Sequence, residues 1–341
     1  MKKAIYSMSA LLIGVSLVLS PAVSAQSNND SQERRTTVAP EEAPVSNEES
    51  NNGTESAISE DESEDDDEQQ ETVNKEEMIQ KLHSMLEGAQ GATANEVITN
   101  LLKQNFDLEE LLSSFKELAE VEIEEGSGEK KEEYKAYAET LREQFEKEKA
   151  SLKEKLEKAK EVSEELYEKE LEIYQNMLEN LAELYEKSGD IQSAFNLQSE
   201  AVKANLSNLE SYKKLATLYE ETHNYQGIKA FVNGEHPTFD VPPMVKEGRT
   251  LIPFRTISEA LQANVSWVAE DRAVVVEKDG VEVKLVIGVK QAFVNGQQVS
   301  LDVPAEIIDG RTVVPLRFLS EAFGANVQWE AETRSVVIVE E

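Results

Sequence analysis

The sequence predicts an α+β module at its C-terminal end, made of two repeats of antiparallel strands packed on a helix. An all-α stalk and a disordered acidic spacer precede it. Three observations carry this. Motifs in the last third of the chain return at a fixed offset of 62 positions. The stretch from Glu129 to about Lys187 has neither glycine nor proline. Residues 26–71 are rich in Ser, Asn, Asp and Glu with almost no large apolar side chain. An offset kept without slippage means one structural unit used twice.

In the repeat, Phe231-Val232-Asn233-Gly234 returns as Phe293-Val294-Asn295-Gly296, and Asp240-Val241-Pro242 as Asp302-Val303-Pro304. Gly248-Arg249-Thr250 returns as Gly310-Arg311-Thr312, and Trp267 as Trp329, the only two tryptophans of the chain. Each copy reads as strand, loop, strand, helix, hairpin. Asn295-Gly296 and Asp279-Gly280 are hairpin turns, because Asn, Asp and Gly tolerate the positive φ such turns need. The Asp-Val-Pro segment is not helical, since proline restricts the residue before it. Pro253 and Pro315 suit the first position of a helix, where no N–H is required. Phe254, Ile257, Ala260 and Leu261, and likewise Leu316, Leu319, Ala322 and Phe323, then share one helical face. Val265 and Trp267 alternate with polar neighbours, as do Val327 and Trp329. This predicts half-buried strands with both tryptophans anchoring a core shared by the copies, over 228–341; stacking on sugars is the alternative use of the two indoles.

Upstream, Met78, Leu82, Met85 and Leu86, then Val97, Ile98, Leu101 and Leu102, then Leu108 to Ala119, mark three short amphipathic helices. They predict a small bundle over 72–125, or a docking piece for a partner helix. From Glu129, Ala138, Phe145, Leu152, Ala159, Leu166 and Ile173 fall at seven-residue intervals. The expectation is one long charged helix, on the order of 85 Å. Its single apolar stripe needs a partner, either within the chain or by self-association. Within 129–227 a second period appears: Leu181-Ala182, Leu184-Tyr185 and Glu186 return 34 positions later as Leu215-Ala216, Leu218-Tyr219 and Glu220. This resembles the tetratricopeptide repeat, with departures at Gln198 and Leu206, and implies packing of helix pairs.

At the other end, Lys2 and Lys3, the apolar run Ala10–Leu19 and the small residues Val23-Ser24-Ala25 read as a signal peptide over 1–25. The expected mature protein is secreted, extracellular or wall-associated, and has no membrane span. Residues 26–71 read as a self-repelling linker. Their acidic run, Glu60–Glu68, lacks the glycine turn and ligand order of a calcium loop. The formal net charge of −34 argues against nucleic acid and anionic membranes as partners. With no cysteine, disulfides, thiolate catalysis and Cys-ligated zinc are excluded.

The repeat motifs closely resemble a family named for the N-terminal domain of copper amine oxidases, found as a stalk domain in exported proteins of Gram-positive bacteria. Its V-N-G, D-V-P-P, G-R-T-L-V-P-L-R, E-A-L-G-A and V-x-W pattern is met here by Val232-Asn233-Gly234, Asp240–Pro243, Gly248–Arg255, Glu259–Ala263 and Val265–Trp267. The second copy keeps Glu321–Ala325 but has Ala305 in place of the second proline. The resemblance implies an antiparallel sheet wrapped on a helix, used for attachment, without copper or oxidase chemistry. Asn224-Tyr225-Gln226 beside His223 only echoes a quinone-forming site. The other histidines, His83 and His236, lie in different segments. No catalytic residue, metal or cofactor is therefore expected.

Arg249, Arg255, Arg311 and Arg317 are the candidate binding residues, suited to an anionic wall polymer. Internal ion pairs with Asp240 or Asp302 are the alternative use of these arginines. Asp240, Pro242, Gly248, Trp267, Asp302, Pro304, Gly310 and Trp329 are read as structural marks of the repeat. The expected function is that of a secreted, non-catalytic attachment protein, whose C-terminal module binds a cell-envelope polymer or another envelope protein. A second expectation is a helical scaffold that binds a protein through residues 73–225, with the module only structural. An extracellular enzyme is the third.

Overall fold

The computed structural model describes residues 64–89, 91–125 and 128–340. The expected signal peptide, and the spacer as far as residue 63, lie outside these. Helix α1 (Glu64–Gly88) takes in the last residues expected of the spacer, so the helical part begins earlier than predicted.

α2 (Ala94–Lys103) is fixed at its start by a capping box between Thr93 and Glu96, and α3 (Leu108–Glu125) follows. The long helix is in fact two, α4 (Gly128–Val162) and α5 (Glu164–Lys187), a correction to the single rod. The break is at Ser163, which is extended (φ −162°, ψ 155°) and accepts the Leu166 N–H on its hydroxyl at 3.1 Å. A serine cap makes a helix start inexpensive there, and reversal gives the α4 stripe its partner inside the chain. The rings of Phe145 and Tyr174 lie 5.8 Å apart, and Lys135 reaches Asp190 at 3.4 Å. Leu166, at the next heptad position, is left exposed at the bend.

α6 (Ile191–Ala204) and α7 (Leu209–His223) continue the stack. Ala194 and Ala201 are fully buried in α6, and Gln198 is satisfied by the Ser211 carbonyl and hydroxyl at 3.0 and 2.9 Å. One core unites the segments expected as separate units: Leu82, Ile98 and Phe115 pack in the same cluster as Phe145, Leu178 and Leu197. Among the described residues no helix is long and apolar enough to cross a membrane.

The first copy of the repeat supplies β1 (Lys229–Val232), β2 (Met244–Lys246), β3 (Arg249–Pro253), α8 (Phe254–Ala260), β4 (Asn264–Val268) and β5 (Ala273–Lys278), and β6 (Val281–Val286) links it onward. The second supplies β7 (Gln291–Val294), β8 (Gln297–Ser300), β9 (Glu306–Ile308), β10 (Arg311–Pro315), α9 (Leu316–Ala322), β11 (Ala325–Glu330) and β12 (Ser335–Glu340). Pro253 and Pro315 close their strands just before the helices, Pro253 as the N-cap of α8, one step earlier than expected. Asp279-Gly280 and Asn295-Gly296 both take positive φ and join β5 to β6 and β7 to β8.

The strands form three sheets, in orders β4-β5-β6-β7-β8, β2-β3-β10-β9 and β1-β12-β11. The middle sheet joins the copies. Ile252 faces its own counterpart Val314, while Leu251 faces Pro315 and Pro253 faces Val313. That register is what a local two-fold relation between the copies produces. Ile252, Phe254 and Val274 of one copy share a core with Val314, Leu316 and Val336 of the other. β1, paired parallel to β12, lies against α7: Phe231 and Val337 are buried with Val202, Tyr212 and Leu215.

Candidate functional site

The two-fold arrangement creates a pair of equivalent clefts. Asp240-Val241-Pro242 turns Val241 inward and leaves Asp240 exposed, and Asp302-Val303-Pro304 does the same with Val303 and Asp302. Gly248 and Gly310, at positive φ, turn the β2–β3 and β9–β10 hairpins so that Arg249 and Arg311 open the next strands. Arg255 and Arg317 sit second in α8 and α9, with Glu259 and Glu321 four residues on, one turn along the same face.

The first cleft, about 700 Å³, is lined by Asp240, Arg255, Glu259 and Trp267 of one copy and by Ile307 and Arg311 of the other. The second, about 520 Å³, is lined by Asp302, Arg317, Glu321 and Trp329, with Val245 and Arg249 from the opposite copy. Every one of these residues has its counterpart 62 positions away. Neither copy builds a cleft by itself.

The ion pairs cross between copies. Arg249 Nε donates to Asp302 Oδ2 at 2.6 Å, and Arg311 Nε to Asp240 Oδ2 at 2.8 Å, with Nη2 of Arg311 on the same oxygen. The expected ion pairing of Arg249 and Arg311 is present, with the aspartates supplied by the opposite copies. All four side chains are largely exposed, so solvent screens the pairs and they orient more than they stabilise. Arg255 and Arg317 are exposed and have no carboxylate partner among the described residues. Counting Arg255 and Arg311 against Asp240 and Glu259, each cleft is electrically balanced.

The tryptophans require a correction. Trp267 is 47 % and Trp329 46 % exposed, so neither is a core anchor. Alternation does put each on one face with Val265 or Val327, as expected, but that face lines a cleft. β4 and β11 are edge strands, and the helices beside them are only 7 residues long, too short to close over the face. The core is filled instead by Phe254, Ile257, Leu261 and Leu316, with Phe323 packed against them. Glu259 and Glu321 were not singled out as site residues. Their position four residues after an arginine, repeated at 62, was the available signal.

The clefts contain no histidine. Each aspartate is engaged by an arginine, which leaves a single glutamate per cleft and no second free carboxylate for acid–base work. Tyr225 donates its hydroxyl to the Ile228 carbonyl at 3.1 Å. His223 and His236 are brought together, both stacked on Tyr219 with ring centroids at 4.1 Å, while His83 lies 3.4 Å from Glu122 in the helical part. No group of three or more metal-ligating side chains occurs among the described residues.

Residues 231–338 match the family model described as copper amine oxidase N-terminal domain. The match spans the two repeats and both clefts, and this domain family is non-catalytic. No curated protein matched the chain.

Proposed function

We propose that this chain is an exported, non-catalytic attachment protein that holds a component of the cell envelope in its two inter-repeat clefts. The helical part then serves as the stalk. One observation carries the reading: the only tryptophans of the chain stand half-exposed at equivalent places, each lining a cleft with an arginine that has no carboxylate partner among the described residues. An exposed indole gives up hydrophobic stabilisation that a buried one would provide. Tryptophan and arginine are also the side chains on which binding energy concentrates. The charged start, apolar run and small residues at 23–25 support export.

The test is retention of the full chain on an isolated envelope fraction, compared with a variant carrying Trp267→Ala and Trp329→Ala. Losing an aromatic anchor from a contact costs about 2 kcal/mol, roughly thirtyfold in affinity. The expected result is loss of retention by a variant whose circular dichroism matches the parent. Undiminished retention would contradict the reading and move binding to the helices of residues 73–225.

A further inference from the structure

On the basis of that binding role, we infer that the clefts take a neutral glycan, each seating a sugar ring on the exposed face of Trp267 or Trp329, with two sites per chain.

The charge distribution selects against a polyanion. Of the four arginines facing the clefts, Arg249 and Arg311 are already held by Asp302 and Asp240. The remaining one in each cleft, Arg255 or Arg317, is offset by Glu259 or Glu321 on the next helical turn. An acidic polymer would thus meet no net positive charge locally, and would approach a chain whose formal net charge is −34. Its binding would have to displace two aspartates of its own sign.

The polar groups fit hydroxyls. A sugar hydroxyl both donates and accepts, so a site for it needs guanidinium N–H groups and carboxylate oxygens side by side. The crossed Arg–Asp pairs supply that at each cleft, with their outer edges exposed, and Thr312 and Thr250 add hydroxyls at corresponding places. An apolar peptide stretch would leave these groups desolvated without partners, at a cost in affinity. The indole supplies the apolar platform on which the C–H face of a sugar ring packs. The cleft sizes lie in the range that holds small ligands.

The duplication bears on the ligand as well. Two sites alike in Trp, Arg, Glu and the crossed pair recognise the same chemical unit twice. A polymer of identical neutral residues presents that unit repeatedly and gains avidity from the second site.

Because Trp267 and Trp329 are the only tryptophans, their emission reports on the clefts alone. The full chain is titrated with chitohexaose and with maltohexaose, both neutral, and with poly(glycerol phosphate) as the anionic arm. Fluorescence and calorimetry are read at low and at moderate salt. The expected result is saturable binding of a neutral oligosaccharide at two sites, changing less than twofold with salt. Trp267→Ala or Trp329→Ala alone should reduce the stoichiometry from two to one. Salt-sensitive binding of poly(glycerol phosphate) only would overturn the inference in favour of a polyanion. Silence with all three probes, alongside tryptophan-dependent retention on the envelope fraction, would overturn it in favour of a protein ligand and leave the attachment role standing. If retention is also independent of the tryptophans, the attachment role falls with it.

Discussion

Replacing Glu220 by alanine should destabilise the protein by about 3–5 kcal/mol, the loss expected when a buried ion pair is deprived of one partner. Glu220 lies in α7 and receives a hydrogen bond from the ammonium of Lys229, the first residue of β1. The Lys229 side chain is 0 % exposed, and its other contact is the Gly227 carbonyl at 3.4 Å. Without the carboxylate, a full positive charge is left buried at the junction between the helices and the β module. The reverse change should be milder. Glu220 is partly open to solvent, so Lys229→Met leaves a carboxylate that water can satisfy and an apolar chain in an apolar place. We expect Lys229→Met to cost no more than about 1.5 kcal/mol, and to rescue much of the Glu220→Ala loss in the double variant. Urea melts of the three variants check this. Equal costs for the two single changes would show that Lys229 is not buried as described.

The second large effect is a fall in stability as the solution is acidified, traced to His236. Its ring packs between Tyr219, at 4.1 Å, and the edges of Phe231 and Phe239, and its Nε2 is buried with no hydrogen-bond partner. Burial, reinforced by nearby His223 and Lys229, lowers its pKa from 6.5 to about 4. The folded ring holds a proton less tightly than the unfolded one, so unfolding takes up a proton between these values. The stabilisation is whole above about pH 6.5, declines as pH falls, and is lost by about pH 4. It amounts to on the order of 2–3 kcal/mol once the partial exposure of the ring is allowed for. Carboxylates in general also take up protons as the solution is acidified, so the measurement is a difference. Stability of the parent minus that of His236→Phe, followed from pH 7 to pH 4, should fall steadily, because the phenyl ring keeps the stacking and removes the titration. A flat difference would contradict the assignment.

Much of the β module was legible because its signals are local. Asn295-Gly296 and Asp279-Gly280 specify hairpins through their own backbone preferences, and the 62-residue offset shows that whatever one copy does, the other repeats. The crossed pairing was not legible. Asp240 and Arg311 are 71 positions apart, and nothing local tells an aspartate to choose the arginine of the other copy over its own. Alternation correctly gave the face of Trp267 but not what covers that face, which depends on the length of α8 and on β4 being an edge strand. In the helical part, Glu–Lys-rich sequence reads as helix on both sides of Ser163. The reversal there comes from packing Phe145 on Tyr174 and overrides the seven-residue pattern that ran through Leu166. The extent of α1 into Glu64–Glu71 was hidden by a composition typical of disordered chain.

The proposed binding role requires Trp267 and Trp329 to be surface groups of the clefts. Its most direct test is acrylamide quenching of the two single-tryptophan proteins made by Trp267→Phe and Trp329→Phe. Each remaining indole is predicted to be readily quenched in the folded protein, with emission shifted toward that of a solvated ring, and quenching should weaken when a cleft ligand is added. Emission characteristic of an apolar interior, with quenching that appears only on unfolding, would return both residues to the core and contradict the clefts as a binding site.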